Sequence, residues 1–127
     1  MISYAIYKLI HVVGVMLVFL AAGGLVVAAM SVQASSGETI RKHAWWKKLA
    51  ITHGAGLFLV LLGGFGLLAR LEIQGDFPGW VWSKIGIWIL IGAGLIPVVR
   101  KPNWSGALWW TTPLLGAAAA LLAINKP

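Results

Sequence analysis

Three ionisable side chains, those of His11, His53 and Lys84, lie inside stretches of sequence that are otherwise apolar. An ionisable group in lipid is costly, so such a residue usually faces a partner or marks a functional site. A neutral imidazole is a common axial ligand of haem iron. A lysine can pair with an anion such as a haem propionate or, if neutral, bind a metal itself. The alternatives need no ligand: each histidine can bond a neighbouring carbonyl or hydroxyl, and Lys84 can extend toward the membrane surface.

Two further residues accompany these three. Gly14 follows His11 by three positions on the same helix face, and we expect its missing side chain to leave room for a bulky planar group. Arg70 closes the second apolar stretch, where its long side chain is expected to reach the interface, and it is kept as a candidate cofactor contact. The predicted cofactor-binding set is therefore His11, Gly14, His53, Arg70 and Lys84, with His11 and His53 as candidate metal ligands.

The elements that carry these residues are predicted to be membrane-spanning helices. Of the 127 residues, 60% are hydrophobic and 10% charged, and a soluble domain of this length cannot bury so much apolar surface. The absence of cysteine excludes disulfides and thiol chemistry. We predict one all-α integral membrane domain over 1–127, an antiparallel four-transmembrane-helix bundle. Its spans are predicted at about 4–30, 47–70, 80–99 and 107–124.

The charges predict an orientation. The net charge of +7 comes from basic residues in short loops, which is typical of a membrane protein and not of a nucleic-acid-binding face. The first and third loops are strongly basic, whereas the second also contains two acids. By the positive-inside rule, loops 31–46 and 100–106 lie in the cytoplasm, and the second loop and both termini lie outside.

The predicted positions along the membrane normal place His11 and Lys84 at one depth and His53 at another. At 1.5 Å per residue, His11 is predicted ~9 Å, and Lys84 ~8 Å, outside the midplane. His53 is predicted ~9 Å toward the cytoplasm, because its helix runs the other way. Two histidines ~18 Å apart cannot share one iron. The better-matched pair is therefore His11 with Lys84, in an outer site.

Short motifs resemble a known group of small four-helix membrane proteins. These motifs are K-x-x-H at Lys8 and His11, a glycine-rich span opening at His53, and W-x-x-x-K at Trp80 and Lys84. They look like the HemJ-type protoporphyrinogen oxidases, the SirB-type proteins and the CopD-type copper-resistance proteins. The HemJ-type resemblance implies haem b, with His11 and Lys84 at the positions needed for activity, and an oxidoreductase that converts protoporphyrinogen to protoporphyrin. The segment around His53 is more similar to the SirB-type members, and the first loop contains fewer acids than the HemJ type.

These observations favour a bacterial inner-membrane protein that binds haem or another tetrapyrrole. Electron transfer to a quinone, or porphyrinogen oxidation, is its expected role. One alternative is a non-catalytic accessory subunit of a larger membrane complex, whose glycine-rich faces dock other helices. Another is a small channel or transporter acting as a homodimer; it ranks last, because every acidic residue lies in a loop and the charge bias favours one orientation.

Overall fold

The computed structural model describes residues 3–70 and 79–124, and this part of the chain is helical with no strand. The described residues form five α-helices: α1 (Tyr4–Ser36), α2 (Trp46–Arg70), α3 (Gly79–Ala93), α4 (Leu95–Arg100) and α5 (Ser105–Ile124). Two short 3₁₀ turns, Ile40–Lys42 and Pro102–Trp104, occupy the loops before α2 and α5. The second loop, predicted to lie outside the cell, falls outside the described residues.

In the part of the chain that the structure describes, four helical segments are long and apolar enough to cross a membrane: Tyr4–Ser36, Trp46–Ala69, Gly79–Arg100 and Ser105–Ile124. This confirms the coarse prediction of four apolar helices and indicates a multi-pass membrane protein. The most apolar stretch of the fourth segment has no buried residue, and many large apolar side chains elsewhere are exposed. Such surfaces suit a lipid environment.

The first helix is longer than predicted at its end. It begins after Ser3, whose hydroxyl oxygen accepts a hydrogen bond from the Ile6 N–H at 3.3 Å. It continues past the predicted residue 30 to Ser36, because the polar residues after Met30 are compatible with a helix. Gly37 ends it with a φ of 72°, and the Gly37 N–H donates to the Gln33 carbonyl at 3.0 Å. A left-handed residue of this kind is a common helix terminator.

The third span was predicted as one helix over 80–99, but the structure divides it at Gly94. Pro97 has no N–H to donate to the carbonyl of Ala93 one turn earlier, and its ring crowds that carbonyl. The segment therefore changes from α3 to α4 at this point, as proline-containing helices commonly do.

Glycines bring α1 and α2 into close contact. A Cβ added at Gly14 would lie 2.7 Å from the Val60 nitrogen, and one at Gly63 would lie 2.6 Å from the His11 nitrogen. Further along α1, Gly24 contacts Leu49. Contacts made later along α1 thus fall earlier along α2. Small residues permit this backbone approach in membranes.

Candidate functional site

Four helices surround a central cavity of about 200 Å³. Side chains from α1, α2, α3 and α5 line it, and most are aliphatic. His11 on α1 and Lys84 on α3 are the two ionisable residues of this lining, and Phe19 and Trp88 supply aromatic surface. The structure thus brings together the two residues that the sequence placed at one depth. We call this space the His11–Lys84 cavity.

The imidazole of His11 is fixed by the backbone of α2. Its Nδ1 atom lies 2.9 Å from the carbonyl oxygen of Val60. A carbonyl oxygen can only accept, so Nδ1 carries the proton and donates. In the neutral ring, Nε2 is then the unprotonated nitrogen, which is the form that accepts a proton or binds a metal. Gly63 allows this approach, because a Cβ there would lie 2.6 Å from the His11 backbone nitrogen.

Lys84 is half-buried on α3 and lines the same cavity. One helical turn later, the indole Nε1–H of Trp88 donates to the carbonyl oxygen of Leu57 at 3.0 Å. This hydrogen bond joins α3 to α2. Lys84 and Trp88 are four residues apart and lie on the same face of α3, so the Trp88 hydrogen bond also holds the face with Lys84 toward α2.

His53 lies apart from the lining of this cavity. Its side chain is only 3% exposed, and within the described part of the chain neither ring nitrogen has a hydrogen-bond partner. The carbonyl groups of Val18 and Ile91 interact with the ring electrostatically, but neither reaches hydrogen-bond geometry. Both of those residues also line the His11–Lys84 cavity. His53 therefore lies behind the cavity wall, with its polar atoms unsatisfied.

The two histidines do not form a shared metal site. Gly63, which contacts the His11 backbone, follows His53 by ten residues on α2, or ~15 Å at 1.5 Å per residue. This is close to the predicted ~18 Å and too long for one iron. Among the described residues, no three histidine, aspartate or glutamate side chains gather into a metal-binding group.

The interpretation of Gly14 requires a correction. We expected the missing side chain to leave a gap for a planar group beside His11. The structure fills that space with α2, since the Val60 nitrogen and the Gly56 carbonyl oxygen would lie 2.7 and 2.9 Å from an added Cβ. Gly14 thus serves helix packing. Arg70 ends α2, and its side chain lies outside the described part of the structure.

The donor chemistry of the cavity suits a haem-type group, but its size does not. A fixed histidine with an available Nε2 is a suitable axial ligand, and Lys84 is a suitable partner for a carboxylate. Pockets for drug-sized ligands measure roughly 300–1,000 Å³, and a tetrapyrrole needs a pocket of that class. At about 200 Å³ the cavity is too small for the whole macrocycle in this helix arrangement.

Sequence reasoning missed the groups that complete the site. The Val60 carbonyl could not be identified, because a backbone acceptor has no sequence signature. Trp88 carried a usable signal, since it lies one turn from Lys84 on the same helix face. The Gly63–Gly64 pair also indicated a close approach to α2, but not the partner that makes it.

Fold and site together define a class: a helical multi-pass membrane protein with a small internal cavity that contains one fixed histidine and one lysine. Comparison with known proteins adds no family to this description. No family model, no curated protein and no solved structure matches the chain.

Proposed function

We propose that this protein binds a ligand at Nε2 of His11, and that the ligand is a haem or another tetrapyrrole. The observation that carries the proposal is the hydrogen bond from Nδ1 to the Val60 carbonyl, which leaves Nε2 as the free nitrogen of a ring facing an apolar cavity. Lys84 supplies the positive charge that a propionate would require. Haem b, if bound, would supply one-electron chemistry.

The size of the cavity adds a condition to this proposal. A macrocycle requires α3 and α5 to move apart from α1, because the present volume is about 200 Å³. Electron transfer to a quinone and oxidation of a porphyrinogen are the reactions that the sequence resemblance implies, and both depend on this binding step.

The visible spectrum of the purified protein tests the proposal. We expect a Soret band and sharp bands after dithionite reduction when the protein is prepared in mild detergent from haem-replete cells. His11→Ala should abolish them, whereas His43→Ala should not, because His43 lies in the first loop. A colourless wild-type preparation would contradict haem binding, and equal spectra in both variants would contradict the role of His11.

We further propose the bacterial inner membrane as the location, with an antiparallel bundle, both termini outside and loops 31–46 and 100–106 in the cytoplasm. The support is the distribution of cations. Arg41, Lys42, Lys47, Lys48, Arg100 and Lys101 are all exposed and belong to the first and third connections and the adjoining helix ends. Cytoplasmic loops characteristically carry this excess.

A second candidate function is that of an accessory subunit in a homodimer or larger membrane complex. The observation in its favour is the uncovered apolar surface of α5, which could bind helices as well as lipid. Purification in mild detergent distinguishes the two functions. A stoichiometric protein partner with no bound chromophore would favour the accessory role.

A further inference from the structure

A second cavity lies between α1 and α5, and Phe19 lines both this cavity and the His11–Lys84 cavity. It measures about 270 Å³ and is lined mainly by apolar side chains. Small residues of α1, including Gly23, form one wall, and the aromatic rings of α5 form the other. A Cβ at Gly23 would lie 3.7 Å from Trp109, so the indole edge limits this space. We call it the α1–α5 groove.

One end of the groove is formed by residues that pack against α4, the helix that precedes Arg100 and Lys101. Val26 and Leu108 line the groove and also pack in the cluster that contains Val98 and Val99 of α4. The next two residues along the chain, Arg100 and Lys101, are exposed cations. Arg100 and Lys101 thus follow directly on residues that pack against the groove wall, at the end of a membrane-spanning segment.

A tryptophan positions one of these charges. The Lys101 ammonium lies 5.0 Å from the centroid of the Trp104 ring. Trp104 precedes Leu108 of the groove wall by four residues, which is about one helical turn or ~6 Å of backbone rise, so Lys101 belongs to this end of the groove. Tryptophan and lysine at this level are typical of the lipid headgroup region.

We propose that the α1–α5 groove binds one anionic phospholipid, with an acyl chain along the groove and the headgroup phosphate against Arg100 and Lys101. Apolar walls fit the chain, and two cations at the open end select a negatively charged headgroup over a zwitterionic one. Each lysine or arginine near a membrane surface favours anionic lipid severalfold. Phospholipid binding here does not require a ligand at His11, although Phe19 lines both cavities.

Native mass spectrometry of the full chain in detergent tests this proposal. Phosphatidylglycerol and phosphatidylcholine with identical acyl chains are added in equal amounts. We expect one phosphatidylglycerol to be retained preferentially, and the double variant R100Q/K101Q to lower that preference about tenfold. The matched control is K47Q/K48Q, which removes the same charge from the start of α2 and should leave the preference unchanged.

A second pair of variants tests the groove itself. Gly23→Leu places a side chain into the groove and should reduce retention of both lipids about tenfold. Gly86→Leu is the control, because a Cβ at Gly86 meets nothing within 4 Å. An equal loss of preference in both charge variants, the absence of any headgroup preference, or undiminished binding in Gly23→Leu would each overturn the proposal.

Discussion

The two intramembrane histidines differ in how their ring nitrogens are satisfied. His11 donates through Nδ1 to the Val60 carbonyl, whereas both nitrogens of His53 lack a partner within the described residues. A buried polar atom without a hydrogen bond costs about 1–3 kcal/mol, and lipid offers no water to replace it. His11 therefore stabilises its position, and His53 destabilises the protein unless it binds something.

Replacement of His53 by leucine tests whether its ring has a ligand. If the ring is unsatisfied in the native protein, His53→Leu removes a penalty of about 1–3 kcal/mol and should raise the thermal unfolding midpoint in detergent. Thr52→Val is the neighbouring control. The Thr52 hydroxyl donates to the Lys48 carbonyl at 2.7 Å, a local bond of little net effect, so its midpoint should change little.

The opposite result for His53 would be equally informative. A clear fall in the midpoint of His53→Leu, with Thr52→Val unchanged, would mean that a bound water or ligand stabilises the imidazole. Buried waters commonly satisfy such atoms, and their removal is costly.

At the scale of helices, the glycines of α2 control the geometry of the site. A Cβ at Gly63 would collide with the His11 backbone at 2.6 Å, whereas a Cβ at Gly54 meets nothing within 4 Å. Gly63 thus permits close contact between α2 and α1, whereas Gly54, on the same helix, borders open space. Close packing at Gly63 is what allows His11 to reach Val60.

A pair of identical substitutions measures this difference. Gly63→Ala should lower the unfolding midpoint, because backbone atoms cannot move aside and overpacking typically costs about 1–3 kcal/mol. Gly54→Ala should leave the midpoint unchanged or raise it, since alanine is favoured over glycine in a helix by up to about 1 kcal/mol. Equal midpoints for the two variants would contradict the packing of α1 against α2 described above.

Much of this helix arrangement, but not all of it, could be predicted from the sequence. Hydropathy located four apolar helices, because a span must contain about 20 apolar residues in succession. The longer α1 was missed because the end of a helix depends on local backbone geometry. The division at Gly94 was also missed, although Pro97 was a usable signal for it. Gly14 was misinterpreted for a related reason: a glycine indicates close approach, but the sequence does not tell whether a helix or a ligand makes it.

At the scale of the whole molecule, the first and third connections lie at one end. Ile40 in the first 3₁₀ turn is fully buried in a cluster with Val98 of α4 and residues of α1. Exposed cations adjoin its members in sequence, since Arg41 and Lys42 follow Ile40, and Arg100 and Lys101 follow Val99. Within the described residues, the basic residues used to predict orientation thus belong to two connections that meet in one cluster.

The orientation of these two connections gives the last prediction. The chain has no cysteine, so single cysteines can be introduced without background. Glu38→Cys and Asn103→Cys, both at exposed positions, should resist a membrane-impermeant thiol reagent in intact cells and react in inverted vesicles. Ser3→Cys should show the reverse pattern, because the N-terminus is expected outside. Labelling of Glu38→Cys from outside would show that the true topology is the reverse of the proposed one. The His11–Lys84 cavity would then lie in the cytoplasmic half of the membrane, because His11 precedes the middle of α1. Agreement between Glu38→Cys and Asn103→Cys is expected in either case, since the structure places both connections at the same end.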